Sequence, residues 1–168
     1  MTSGQDAAHL PVVVVMGVEG VGKSTVGRRL ADELTVEFLD GDDVHSPEAK
    51  AQLAVGIPLD DAARAPWLDR LDAILRDHES VGVVLACSAL KRAYRERLSR
   101  GVPHVVFVAL VAPRDVLAAR IASRKGHFAG LALLDSQLET LELGDDVSTV
   151  DATQPVEDIV AAAMRAVT

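Results

Sequence analysis

The amino-acid sequence predicts an α/β fold, a doubly wound parallel sheet with helices on both faces. Two observations carry this prediction. Apolar runs alternate along the chain with segments whose apolar residues recur at helical spacing. Most of the runs are continuous rather than alternating, which is typical of parallel strands buried on both faces. The predicted strands are residues 12–16, 36–39, 81–86, 105–111 and 147–150.

Five segments carry apolar residues on one side of a predicted helix. They are residues 23–34, 65–78, a stripe through Leu90, Tyr94 and Leu98, 114–123 and 155–167. Two longer stretches interrupt the alternation, at about residues 42–66 and about residues 125–144. Because excursions at strand ends commonly cover a substrate, we predict a substrate-binding insertion in the first stretch and a lid region in the second.

Length and composition indicate one domain over residues 1–168, with residues 1–10 as a flexible tail. The formal net charge of -8 argues against a nucleic-acid partner, which would need a basic face. No apolar run reaches 18 residues, so no membrane span is expected. The single cysteine, Cys87, fits a reducing compartment. We therefore expect a cytoplasmic protein.

A phosphate-binding loop lies between the first predicted strand and the first predicted helix. The pattern G-x-x-x-x-G-K-[ST] in this context cradles a nucleoside triphosphate with backbone N–H groups. Lys23 is expected to reach the β- and γ-phosphates, Ser24 to ligate Mg²⁺, and the side chain of Glu19 to point outward. The predicted nucleotide-binding residues of the loop are Gly17, Val18, Glu19, Gly20, Val21, Gly22, Lys23, Ser24 and Thr25.

Two carboxylates, Asp40 and Asp42, follow the second predicted strand. Two residues apart at a strand end, they are expected to point the same way. One can hold Mg²⁺-bound water, and the other can accept a proton from an acceptor hydroxyl. The structural alternative is an Asx-type turn.

Polar and cationic residues also follow the third predicted strand. Ser88 is either a helix N-cap or a substrate contact. Lys91 and Arg95, four residues apart, are expected on one helix face, where they can meet a substrate carboxylate. Cys87 is expected to pack in the site wall rather than react.

Arg120 and Arg124 are also four residues apart, and they run into Lys125, Gly126 and His127. Two arginines at a mobile segment can clamp the oxygens of a phosphoryl group in transfer. The alternative is a salt-bridged surface helix. For His127, both a structural and a functional role stay open.

These pieces together resemble the gluconokinases of the phosphate-loop carbohydrate kinase group, which share a fold with shikimate and nucleoside-monophosphate kinases. The resemblance runs in family order over nearly the whole chain. Its most specific pieces are Phe38-Leu39-Asp40-Gly41-Asp42, Cys87-Ser88-Ala89-Leu90-Lys91, Arg124-Lys125-Gly126-His127-Phe128 and Ser136-Gln137-Leu138-Glu139.

The resemblance implies a P-loop NTPase fold with three α/β/α layers and five parallel strands, a homodimer, and transfer of the ATP γ-phosphoryl group to the 6-hydroxyl of D-gluconate. Asp42 would lie nearest that hydroxyl, and residues 151–155, including Thr153 and Gln154, would form the adenine-side loop. Substrate contacts are expected from His45, Arg64, Ser88, Lys91, Arg95 and His127.

The chain departs from the family pattern mainly in the substrate-covering insertion, where it has Ser46, Ala49, Gln52 and Ala63. A kinase for another small sugar acid or polyol therefore stays an alternative. So does a nucleotide-binding protein with lapsed catalysis. A GTP-type switch is disfavoured because no Asn-Lys-x-Asp guanine motif is found.

Overall fold

The structure is a computed structural model that describes residues 10–124 and 127–168, with the backbone alone at residues 127 and 128. Its sheet has five parallel strands in the order β2-β3-β1-β4-β5. They are β1 (Val12–Met16), β2 (Glu37–Asp40), β3 (Val83–Ala86), β4 (Val106–Val111) and β5 (Val147–Asp151). The predicted five-stranded parallel sheet is confirmed. Of the predicted tail, only Leu10 lies within the described residues.

Seven helices and one 3-10 turn connect the strands over the described ranges. They are α1 (Lys23–Leu34), the turn Gly41–Val44, α2 (Pro47–Ala54), α3 (Asp61–Asp77), α4 (Arg92–Leu98), α5 (Arg114–Ala122), α6 (His127–Thr140) and α7 (Val156–Val167). The predicted insertion thus contains α2 and the start of α3, and the predicted lid region contains α6. Neither α2 nor α6 was predicted as a helix.

Side-chain caps explain two boundaries that the apolar pattern did not give. Asp60 accepts a hydrogen bond from the N–H of Ala63 at 2.7 Å, so α3 begins at Asp61 rather than at residue 65. Ser46 accepts from the N–H of Ala49 at 3.1 Å, and Pro47 occupies the first helical position of α2. Capping residues therefore set where the insertion becomes helical.

The sheet separates two apolar layers, because successive residues of each strand face opposite sides. On one side, Val13 and Val15 pack with residues of α1, α5, α6 and α7. On the other, Val12, Val14 and Met16 pack with α3 and α4. The result is the three-layer α/β/α arrangement. Among the helices of the described residues, none is long and apolar enough to cross a membrane.

Arg95 is a structural residue in this fold, which corrects its predicted contact with substrate. Helix α4 begins only at Arg92, so Lys91 is its N-cap and does not share a helix face with Arg95. Arg95 is 1% exposed and donates five hydrogen bonds, to both carboxylate oxygens of Asp146 and to the carbonyls of Ala89, Leu90 and Glu142. Its guanidinium joins the segment after β3 to the segment before β5.

The protein should therefore be less stable when this guanidinium is replaced. We expect Arg95→Met to lower the free energy of unfolding by about 3 kcal/mol, because it leaves Asp146 and three carbonyls without their buried donor. The measurement is urea unfolding followed by circular dichroism. Arg97→Met is the matched control, since Arg97 pairs with Asp69 on the surface. Equal losses in both variants would contradict the structural role of Arg95.

Candidate active site

The loop between β1 and α1 offers an anion-binding surface. Helix α1 starts after Gly22, and among the described residues no side chain caps its first turn and no acidic residue lies in it. Gly22 has a φ of 100°, and a Cβ added there would meet no described heavy atom within 4 Å. The first N–H groups of α1 are therefore left for an anion, as the phosphate-loop pattern predicts.

Ser24 and Asp40 lie together beside this loop. The Ser24 hydroxyl donates to Oδ2 of Asp40 at 2.9 Å. A hydroxyl and a carboxylate are the hard oxygen donors that suit Mg²⁺. The described residues hold no cluster of three or more metal-ligating side chains, so such an ion would also need phosphate or water oxygens. The residues present fit a magnesium ion held jointly with a nucleotide.

A cleft of about 220 Å³ opens next to the loop, and we call it the main cleft. It brings together the predicted residues Lys23, Asp42, His45, Arg64 and Ser88. Its full lining is Glu19, Lys23, Asp42, His45, Lys50, Leu53, Leu59, Arg64, Trp67, Ser88, Leu133 and Gln137. Asp43 is exposed to solvent outside this lining.

Asp42 reaches the cleft from a turn, not from the end of β2 as predicted. β2 ends at Asp40, whose Oδ1 accepts the N–H of Asp42 at 3.0 Å and starts the 3-10 turn. The Asp42 side chain is 81% exposed toward the cleft. The cleft walls nevertheless reduce the hydration of its charge, and this raises the pKa of Asp42. The charge of Asp40 raises the pKa further, and Lys23 lowers it.

His45 forms a neutral wall beside Asp42. Its side chain is 6% exposed, and its ring stacks on Trp67 with ring centroids 4.2 Å apart. Burial, and then the charge of Arg64, lower the pKa of His45 to about 4. The imidazole is therefore neutral at pH 7, and its Nε2, 3.9 Å from Oδ1 of Asp42, forms no ion pair.

Trp67 in turn fixes the turn that carries Asp42. Its indole Nε1 donates to the Gly41 carbonyl at 2.7 Å. A Cβ at Gly41 would lie 2.8 Å from the carbonyl oxygen of Ala86, so this position needs glycine for its close approach to β3. Gly41 thus serves packing against β3, and Trp67 holds the turn in place.

A second pocket of about 370 Å³ continues the main cleft, and we call it the side pocket. Arg64 lies at the junction and donates to the Tyr94 hydroxyl at 2.6 Å. That hydroxyl donates to Asp61 at 2.5 Å, and Lys91 lies 3.6 Å from the same Asp61 oxygen. Arg64 and Lys91 therefore place two cations on the wall of the side pocket.

The structure excludes one of the two alternatives for Ser88 and contradicts the predicted orientation of Glu19. Ser88 does not cap a helix, because α4 starts after Lys91; its carbonyl instead accepts the N–H of Gly17 at 3.4 Å. Glu19 lines the main cleft rather than pointing outward. Its backbone N–H donates to Oε1 of Gln137 at 2.6 Å, which turns this residue toward α6.

The predicted nucleotide-side residues meet at the end of β5. Asp151 accepts hydrogen bonds from Thr153 and from the Gln154 amide, which shapes this loop. Arg120 donates to the Ala152 carbonyl at 2.7 Å and to the Val21 carbonyl at 3.5 Å. Arg120 thus joins the phosphate loop to the loop after β5.

Arg124 is exposed after the end of α5, within the described residues. Lys125, Gly126 and the side chain of His127 lie outside them. The structure therefore leaves the predicted arginine clamp and the role of His127 as predictions.

Six residues of the main cleft were not among the predicted site residues: the apolar Leu53, Leu59 and Leu133, and in addition Lys50, Trp67 and Gln137. Gln137 stands in the piece Ser136-Gln137-Leu138-Glu139 that carries the family resemblance, and Trp67 lies in the predicted helix at residues 65–78. No pattern in the sequence indicated Lys50, which is a lone cation in helix α2, a helix that was not predicted.

The fold and this site define a class, the phosphate-loop small-molecule kinases. Residues 12–143 match the family model described as an AAA domain. Thermoresistant gluconokinase of Escherichia coli (strain K12) is 38% identical over 162 residues, which cover 93% of each chain. Gluconokinase of Gluconobacter oxydans (strain 621H) is 46% identical over 137 residues, 80% of this chain and 77% of that one.

A solved structure agrees with these relatives. The crystal structure of a gluconokinase from Sinorhizobium meliloti 1021 superposes with a TM-score of 0.86 and 41% identity, covering 94% of this chain and 91% of that one. The chain belongs to the gluconokinase family.

Cys87 gives a direct test of the apolar layer behind the cleft, where it packs in one cluster with Trp67. It is 1% exposed, and burial raises the pKa of its thiol to about 12. We therefore expect the native protein to react with a thiol reagent at least about a hundred times more slowly than the urea-unfolded chain, because the thiolate is the nucleophile. Absorbance of the released reagent measures both rates. The unfolded chain should yield one thiol, and equal rates would contradict the packed position.

Proposed function

We propose that this protein transfers the γ-phosphoryl group of ATP to the 6-hydroxyl of D-gluconate, giving 6-phosphogluconate and ADP. The observation that carries the proposal is the main cleft, in which Lys23 of the phosphate loop and the carboxylate of Asp42 line one cavity. Membership of the gluconokinase family supports gluconate as the acceptor.

The phosphate side acts by positioning and by neutralising charge, because phosphoryl transfer asks little covalent chemistry of a protein. Lys23 donates to the Val18 carbonyl at 3.0 Å, which keeps its ammonium at the loop, and this ammonium is proposed to bind the β- and γ-phosphates. Arg120 is close enough to the loop to add positive charge on the nucleotide side. Ser24 and Asp40 would hold Mg²⁺, which when bound neutralises phosphate charge.

Asp42 is proposed to accept the proton of the acceptor hydroxyl. Its carboxylate is exposed toward the cleft, and its raised pKa makes it a better base than an ordinary aspartate. His45 is neutral and adds no positive charge that would compete for Asp42 as an ion pair.

The acceptor carboxylate is proposed to lie toward Arg64 and Lys91 in the side pocket. An extended polyhydroxy acid would then reach from these two cations to Asp42. The departures from the family pattern fit local roles in this insertion. Ser46 caps α2, and the Gln52 amide donates to the Pro58 carbonyl at 2.8 Å.

We also propose that the insertion and the α6 region cover the two substrates together. A Cβ at Gly56 of the insertion would lie 3.0 Å from the Cβ of Ala132 on α6, so the two segments touch. The homodimer and the cytoplasmic location stay predictions, which gel filtration with light scattering and cell fractionation can test.

The function is tested by ADP release from Mg·ATP over a panel of sugar acids, polyols and shikimate. We expect strong stimulation by D-gluconate alone. Stimulation by another acid would show that the acceptor is not gluconate, while the proposed mechanism of phosphoryl transfer would stand. ATP binding without stimulation by any acceptor would favour lapsed catalysis and overturn the proposal.

Lys23→Ala should abolish gluconate-dependent turnover, because the loop loses the cation that stabilises the negative charge of the γ-phosphoryl group in the transition state. The coupled ADP assay measures this, with folding checked by circular dichroism. An undiminished rate would show that the loop does not bind the reacting phosphates.

Asp42→Asn should lower kcat by a factor of about 10² to 10⁴, the usual contribution of a general base. ATP affinity, measured by calorimetry, should change much less. The pH profile gives a second readout. Since only ionised Asp42 accepts a proton, wild-type activity should fall toward acid pH, and Asp42→Asn should lack this acid limb. A variant that loses only ATP affinity would make Asp42 a nucleotide residue.

A further inference from the structure

Gln137 connects the phosphate loop to the helix that borders the cleft. It lies on α6, 118 residues from Glu19 in sequence, and its Oε1 accepts the Glu19 N–H at 2.6 Å. The assignment of the amide follows from chemistry, because an N–H donor requires the carbonyl oxygen and not the amide nitrogen. One end of the Gln137 side chain is therefore anchored on the third residue of the loop.

The other end of the amide is free to meet a ligand. Within the part of the chain that the structure describes, Nε2 of Gln137 has no hydrogen-bond partner, although the residue is half-buried. Because the amide group is planar, anchoring Oε1 also fixes the direction of Nε2. Its two N–H donors are therefore held in one orientation at little further entropic cost.

Gln137 also lies where the two cavities meet. The residues that line both the main cleft and the side pocket are Leu53, Leu59, Arg64, Leu133 and Gln137. Only Arg64 and Gln137 in this set are polar, and Arg64 already donates to Tyr94. A molecule that extends from Asp42 into the side pocket must pass Gln137.

We propose that Gln137 is a positioning and specificity residue for the acceptor. Its Oε1 holds the Glu19 segment of the phosphate loop, and its Nε2 donates a hydrogen bond to one oxygen in the middle of the acceptor chain. One rigid amide then sets the distance between the loop and the acceptor. The inference rests on the proposed function, since it takes the acceptor to be a polyhydroxy acid.

The test combines Gln137→Met with acceptors that each lack one hydroxyl. We expect wild-type kcat/KM to fall at least tenfold for the deoxy acceptor that lacks the oxygen facing Nε2. In Gln137→Met, kcat/KM for the full acceptor should fall about tenfold or more, and removing that same hydroxyl should then cost less than about threefold. The affinity for ATP alone should fall by a clearly smaller factor than kcat/KM, because the loop keeps its contacts with Ser88 and Arg120. Glu139→Gln, an exposed position on the same helix, is the control and should behave like wild type.

Two results would overturn the inference. One is a Gln137→Met variant that keeps the full wild-type penalty for every missing hydroxyl. The other is an equal loss of ATP affinity and of kcat/KM, which would make Gln137 only an anchor of the loop. If Gln137→Met does not fold, Gln137→Asn, whose shorter side chain cannot span both contacts, replaces it with the same expectations.

Failure of the proposed function is a separate outcome. It shows in the wild-type protein, which would then not phosphorylate gluconate in the acceptor panel. If the panel identifies another polyhydroxy acid, the deoxy series of that acid carries the same test of Gln137.

Discussion

The open start of α1 is the constraint on which the rest of the site depends. Helices α2 and α3 satisfy their first N–H groups with the side chains of Ser46 and Asp60. Helix α1, among the described residues, has no such cap. In the same part of the chain, helices α4, α5 and α7 also lack one, but α1 is the helix that begins at the phosphate-loop glycines, with Gly22 as its N-cap. Unsatisfied backbone donors are costly when they are kept from water, so a loop that keeps them open for a phosphate must be held by its surroundings.

Several elements supply that support by bonding the loop at other backbone atoms. The Ser88 carbonyl after β3 accepts the Gly17 N–H, Gln137 of α6 accepts the Glu19 N–H, and Arg120 of α5 donates to the Val21 carbonyl. Each contact comes from a segment that also lines the cleft or contacts the loop after β5. A shift of the loop would therefore break its hydrogen bonds with these three segments.

The sequence predicted what depends on local pattern. The strand at residues 12–16 and helix α1 were placed at their observed bounds, because continuous apolar runs and helical spacing are local properties. The pattern missed α2, whose signal was the cap at Ser46 and not an apolar face. It also misassigned Arg95, since Asp146, the carboxylate that pairs with its guanidinium, lies 51 residues further along the chain. The orientation of Glu19 depended in the same way on a distant residue of α6.

The charge inside the cleft differs from that of the whole chain. The protein carries a formal charge of -8, yet the main cleft sets three cations, Lys23, Lys50 and Arg64, against two carboxylates. Because His45 is neutral, the balance there is slightly positive. Both proposed substrates are anions, so cations concentrated in one cavity attract them while the acidic surface repels them elsewhere. Burial, and then the charges of Arg64, Arg70 and Lys50, lower the pKa of His45, whereas reduced hydration, and then the charge of Asp40, raises the pKa of Asp42. In the proposed reaction, Asp42 rather than the neutral His45 is therefore the group that takes the proton of the acceptor hydroxyl.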